Sequence, residues 1–148
     1  MKPLPHRYDV QLKAGPTGYA HLDCVGRRTL ASAPPIEFGG PGDAWSPEHL
    51  LLASIEACFL FTFRAVARAS NLEFLNANVH VEGTVDRQGA VTRFIDIVIR
   101  PRLTFAPGID RAKVAAAVAK TEKNCLVSAT LAIPVRVEAD IVENEAAA

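Results

Sequence analysis

The stretch Ser46-Pro47-Glu48-His49-Leu50-Leu51-Leu52-Ala53-Ser54-Ile55-Glu56-Ala57-Cys58-Phe59-Leu60-Phe61-Thr62-Phe63 decides how the chain is organised. It opens as helices open. Ser46 can accept from the free amides of a first turn, Pro47 suits the first helical position, and Glu48 favours the positive end of the dipole. The pattern runs to about Ser70, with Asn71 as the stop. Residues 50–63 are apolar nearly all round, the profile of a helix buried on most sides rather than lying on a surface. Such a helix is roughly 36 Å long at about 1.5 Å per residue, more than one small chain covers on every side. A second copy is the expected cover. The run contains Glu56 and falls short of the roughly 20 apolar residues of a bilayer span, so no membrane partner is expected. Beyond it, Arg64 and Arg68 lie one helical step apart on a common stripe.

Before this helix the sequence alternates. Tyr8, Val10 and Leu12 fall on one face of a strand, and Gly15-Pro16-Thr17-Gly18 makes a turn. Residues 19–24 resume an extended pattern, and Gly26 permits a second turn before Arg28-Thr29-Leu30. This predicts a short antiparallel meander. Residues 33–43 hold three prolines and three glycines, an irregular loop of a length often kept for function.

After the helix come two long alternating runs. Residues 76–85 place Val79, Val81 and Val85 on one side, with Asp86-Arg87-Gln88-Gly89 as the hairpin turn. Residues 91–105 return with Ile95, Ile97 and Ile99 on one face, and Pro101 suggests an edge or a bulge. Pro107-Gly108 ends the run, and Ile109-Asp110 opens a second helix from Arg111 to about Lys123, with Val114 and Val118 on its apolar stripe. Residues 124–129 form a joint, 134–142 a last strand, and 143–148 a frayed end. The predicted order is β-β-β-α-β-β-α-β in a single domain over 1–148, an α+β fold with helices crossing one antiparallel sheet.

Sixteen basic and sixteen acidic side chains cancel to a formal charge of zero. A general nucleic-acid binder normally carries a basic surplus, so no nucleic-acid partner is expected. Hydrophobic residues make 49% of the chain and charged ones 22%, a globular balance away from disorder. Lys2, Pro3, Pro5, His6, Arg7 and Asp9 precede any apolar run, unlike a secretory signal, and a cytoplasmic location is the expectation.

Three cysteines stand at 24, 58 and 125, an odd count at scattered spacing. That is no secreted disulfide framework, and neither the cysteines nor His6, His21, His49 and His80 show a zinc spacing, so no metal is expected. A cysteine pair that cycles in a reducing compartment is catalytic or sensing more often than structural. Cys58, inside the apolar helix, reads as a small hydrophobe unless a cation or hydrogen-bond donor activates it. Cys125 lies near Lys120 and Lys123, which would favour a thiolate if either turned inward. Cys24 has no such company and reads as structural. Glu56 points away from Cys58 on the helix, and Glu48 stands roughly 15 Å from it along the axis. A joint role for Glu48 and Cys58 therefore needs a bend, a bridging side chain or a second subunit.

Ser46-Pro47-Glu48-His49-Leu50-Leu51 leading to Ala57-Cys58-Phe59, then Pro107-Gly108-Ile109-Asp110 and Cys125-Leu126-Val127-Ser128-Ala129, together resemble the OsmC/Ohr family of thiol-dependent peroxidases. The order and spacing of these segments carry the resemblance across nearly the whole chain. It implies an intertwined homodimer with long central helices and sites at the subunit interface. It also implies that Cys58 is the peroxidatic thiolate attacking an organic hydroperoxide, and that Cys125 resolves the sulfenic acid to a disulfide. A dithiol reductant, lipoyl-type in many relatives, then reopens the disulfide; no metal, haem or flavin cofactor is required. Glu48 matches the family glutamate that pairs with an arginine beside the thiolate. Here the sequence departs. Residues 13–18 hold no arginine, Glu37 stands in the loop where one might be, Arg27 and Arg28 are the nearest substitutes, and Leu126 replaces the proline after the second cysteine. Three functions stay open: a peroxidase, an OsmC-like stress protein with weak or lost activity that binds a small ligand or senses oxidants, and a structural dimer with packing cysteines.

Overall fold

Residues 2–144 are described by the computed structural model, and the chain divides into two compact units, Met1–Leu51 and Leu52–Ala148. The first unit holds the meander β1 (Gln11–Lys13), β2 (Ala20–Asp23) and β3 (Leu30–Ser32), paired antiparallel in that order. Gly18 and Gly26 take the left-handed backbone in the two turns, as the sequence asks. The first strand is shorter than its alternation predicts. The chain turns at Cys24, where the Arg27 amide bonds the Cys24 carbonyl at 3.0 Å, so residues 8–10 have no strand opposite them. Tyr8, Val10 and Leu12 are left exposed.

The Pro/Gly-rich loop contains a short 3-10 turn, Ile36–Phe38, closed by Gly39 at φ 78°. Gly40 has no room for a side chain, since a Cβ there would lie 1.6 Å from the Pro34 carbonyl oxygen. The loop returns to bond Ala33 to Trp45 and delivers the buried Ser46. Ser46 caps the long helix as read: its Oγ accepts the His49 amide at 3.2 Å and lies 2.8 Å from His49 Nδ1.

That helix, α1 (Pro47–Ala69), starts in the first unit and continues in the second. It buries one stripe, Ile55, Phe59, Phe63, Val66 and Ala67, at the spacing of a single helical face. Its end is marked by Asn71 at φ 48°. The other faces are only partly covered among the described residues: Leu51, Leu52 and Leu60 are half-buried, and Phe61 is 61% exposed, with the Arg64 guanidinium 5.6 Å over its ring. By length and composition alone α1 could cross a bilayer, a test that core helices also pass.

In the second unit β4 (Asn76–Gln88) and β5 (Val91–Phe105) form a long antiparallel hairpin. Its turn is tighter than predicted. Asp86, Arg87 and Gln88 remain paired with Arg93, Thr92 and Val91, and Gly89 at φ 64° makes the reversal with Ala90. The expected bulge falls at Thr84/Val85 rather than at Pro101. β5 is central, and Ile97, Val98, Ile99, Leu103 and Phe105 are buried.

The last strand of the prediction is two short ones, β6 (Val135–Val137) and β7 (Asp140–Glu143), both parallel to β5. The α+β class therefore holds with a mixed sheet, not a wholly antiparallel one, and with a separate meander. Pro101 fits this break. The Ile99 and Phe105 carbonyls both accept bonds on the β6–β7 side, so by alternation Pro101 turns its missing N–H there, at the joint between the two strands.

Helix α2 (Arg111–Asn124) starts as predicted, Asp110 accepting the amides of Ala112 and Lys113 at 3.0 and 3.1 Å. It buries Val114, Ala117 and Thr121, while Val118 is half-buried. The predicted joint after it contains a further turn of helix, α3 (Leu126–Ala129). Of the frayed end expected over 143–148, Glu143 instead ends β7 and the Asn144 amide bonds the Phe105 carbonyl at 2.9 Å, while residues 145–148 lie outside the described residues. Phe59 is fully buried on the α1 stripe. Phe59→Ala is expected to lower stability by about 3–5 kcal/mol, read from urea unfolding monitored by circular dichroism.

Candidate active site

Cys58 lies at the middle of α1, one residue before the buried Phe59, and is half-buried. Cys125 is the elbow residue that ends α2 and caps α3, and is 1% exposed. The fold brings these two sulfurs into hydrogen-bond contact, both as free thiols. The sequence places Cys58 within the long helix and Cys125 in the joint after the second one. Only their resemblance to a family pair joined them in advance.

Four donors converge on the Cys58 sulfur. Burial pushes its pKa up. The backbone amide of Val127, the Cys125 thiol, the Thr62 hydroxyl and the backbone amide of Leu126 together outweigh burial and hold Cys58 below the ordinary thiol value. Burial raises Cys125 as well, and there it meets less opposition. Ser128 pulls it down through its hydroxyl, 3.2 Å from the sulfur, and through its amide. The bond given to Cys58 and the charge there raise it again, and Cys125 ends above the ordinary value. The pair is thus polarised, with Cys58 the sulfur that its surroundings favour as thiolate and Cys125 the one they favour as thiol.

The donors are neutral. Lys120 and Lys123, near Cys125 in sequence, are exposed, and it is Ser128 that serves Cys125. Thr62 and Ser128 were not singled out from the sequence. Their signal was spacing: Thr62 follows Cys58 by four residues and Ser128 follows Cys125 by three, both one helical turn. Leu126, standing where the family has proline, still presents an N–H, and that N–H is one of the four donors.

Glu48 belongs to the first unit. It borders a cavity of about 370 Å³ whose wall is mostly apolar, with Leu12, Ala33, Pro35, Phe38 and Pro47 among its lining. The Glu48 Oε2 is buried with no hydrogen-bond partner among the described residues. Neither expected substitute pairs with it: Arg27 gives its Nη1 to the Val25 carbonyl at 3.2 Å, and Arg28 is exposed. Within α1, three turns separate Glu48 from Cys58. Cys24 is half-buried, with its thiol directed at the Val25 carbonyl.

These elements match known proteins. The family model of OsmC-like proteins matches residues 40–140, and the chain belongs to that family. It is similar to the uncharacterised protein YmaD of Bacillus subtilis, 29% identical over 97 residues, covering 64% of this chain and 65% of that protein. It is also similar to the organic hydroperoxide resistance protein of Xanthomonas axonopodis pv. citri, 34% identical over 92 residues, 62% of this chain and 63% of that one. The matches span just under two thirds of these relatives' length. Among solved structures, an OsmC-like protein of unknown function from Vibrio cholerae shares the fold with a TM-score of 0.84 at 11% identity, covering 91% of this chain and 99% of that one.

The neutral donors make a direct prediction. Thr62→Val keeps the shape and removes one hydroxyl, so the Cys58 pKa should rise. Below that pKa, iodoacetamide alkylation of Cys58 should slow by up to about tenfold, the worth of one hydrogen bond to a charged group. Well above it the two proteins should react alike.

Proposed function

We propose that this protein is a thiol-dependent peroxidase that reduces organic hydroperoxides. The observation that carries the reading is the contact between the two sulfurs, with Cys58 shifted toward the thiolate and Cys125 shifted away from it. The Cys58 thiolate attacks the distal oxygen of ROOH, the O–O bond breaks, and RO⁻ leaves and takes a proton from solvent to become ROH. Cys58 is now a sulfenic acid. The Cys125 sulfur attacks it, the S–O bond breaks, and water departs with the thiol proton, leaving the Cys58–Cys125 disulfide. An external dithiol reduces that disulfide and becomes one itself. No cofactor enters the balance. Membership of a family that includes organic hydroperoxide resistance proteins supports the substrate class.

The assembly we propose is a homodimer in the cytoplasm. The partly covered faces of α1 support it, because an exposed Phe61 on a helix this apolar is more stable against a second copy than in water. Glu48 cannot touch the thiolate of its own helix across about three turns, so we propose that any direct contact it makes with a Cys58 sulfur comes from that second copy. Phe61→Glu is expected to shift the protein toward monomer in sedimentation velocity while the circular dichroism spectrum is kept. A dimer of unchanged stability would place the interface elsewhere.

One observation favours a second reading, an OsmC-like protein of weak activity that binds a small ligand or senses oxidants. Glu48 keeps a buried carboxylate oxygen without the cation that a strongly activated site would supply. Single-turnover kinetics separate the two. Reduced protein mixed with cumene hydroperoxide should lose two thiols per chain within seconds, none in Cys58→Ser, and stop at sulfenic acid in Cys125→Ser. Survival of both thiols for hours in millimolar hydroperoxide would sink the enzyme and leave the ligand reading.

A further inference from the structure

We propose that Ser128 sets the direction in which the Cys58–Cys125 disulfide reopens, so that an incoming thiol attacks the Cys58 sulfur and Cys125 is the leaving group. This rests on the redox pairing of the two cysteines proposed above, but not on the identity of the oxidant. Three observations carry it. Cys125 is buried by its own chain, whatever lies against that chain, whereas Cys58 is half-buried on α1. The Ser128 Oγ donates to the Cys125 Sγ at 3.2 Å from one turn further along α3. Cys125 is fixed at the elbow of α2 and α3, its amide bonded to the Glu122 carbonyl and its carbonyl accepting the Ala129 amide.

Thiol–disulfide exchange needs an attacking thiolate in line with the S–S bond and a leaving sulfur that can bear the charge. Attack at Cys125 would bring the thiolate into the chain interior. Attack at Cys58 needs no such passage. In the reduced pair the charge rests more easily on Cys58, but with Cys58 held in the mixed disulfide its charge no longer opposes Cys125, and the charge expelled there meets the Ser128 hydroxyl already directed at it. The step balances: RS⁻ bonds to the Cys58 sulfur, the Cys58–Cys125 bond breaks, and Cys125 departs as a thiolate that takes a proton from solvent. A second thiol of the same dithiol then attacks the outer sulfur of the Cys58 mixed disulfide. Cys58 is expelled as a thiolate onto the amides of Leu126 and Val127 and the hydroxyl of Thr62. Ser128 touches the leaving sulfur itself, so it acts directly on a reacting atom.

The test uses the full chain with Cys24→Ser, oxidised by diamide so that no hydroperoxide is involved. The disulfide is opened with 2-mercaptoethanol, quenched in acid, and the adduct located by peptide mass mapping. The adduct is expected on Cys58, with Cys125 recovered as free thiol. Adducts on Cys125, or equally on both, overturn the proposal. Ser128→Ala should open about tenfold more slowly, and Ser128→Thr, which keeps the hydroxyl, should restore most of the rate. An unchanged rate in Ser128→Ala, with near-ultraviolet circular dichroism confirming its fold, also overturns it. Should Ser128→Ala not fold, the adduct position in the Cys24→Ser chain decides alone. Failure of diamide to form the disulfide at all defeats the redox pairing, and the direction falls with it.

Discussion

A hydrogen bond from the Cys125 thiol to the Cys58 sulfur is the constraint on which the chemistry of this protein depends. Neither sulfur is remarkable by itself. A cysteine in an apolar helix is ordinarily inert, and burial raises its pKa. Contact changes that, because each sulfur now bears on the other's ionisation and the surroundings decide which gives up its proton first. The amides of Leu126 and Val127 reach Cys58, while Cys125 has burial against it and the Cys58 charge beside it. The architecture exists to hold this contact. The α1 stripe of Ile55, Phe59 and Phe63 anchors Cys58, and the elbow between α2 and α3 presents Cys125 with its neighbouring amides.

Activation through neutral donors has physical consequences. An arginine would stabilise a thiolate through a field that salt screens, whereas amides and hydroxyls act at contact and depend on geometry. Glu48, in the first unit, keeps one buried carboxylate oxygen without a hydrogen-bond partner among the described residues, beside a mostly apolar cavity.

What the sequence revealed was whatever is local. The Ser46 and Asp110 caps, the Asn71 stop and the glycines of the meander act within a turn or two of themselves, and each stands where it was read. The hairpin turn was placed too early because Asp86-Arg87-Gln88 has loop composition, yet cross-strand pairing with Arg93, Thr92 and Val91 keeps it extended. The parallel course of β6 and β7 was not legible, since strand direction is fixed by a distant partner, β5, rather than by anything in residues 134–142. The site divides in the same way. Cys58 and Cys125 could be paired only through a family resemblance, and Thr62 and Ser128 matter because of where the sulfurs lie, which no local pattern states.

The most direct test of a polarised pair is an ultraviolet thiolate titration of the reduced Cys24→Ser protein at 240 nm. Two separated steps are predicted, one below the ordinary thiol value and one above it, with Cys125→Ala removing the upper step and moving the lower one upward. A single unresolved rise at the ordinary value, unaltered apart from amplitude in Cys125→Ala, would contradict the coupled ionisation of Cys58 and Cys125 and with it the account built on that contact.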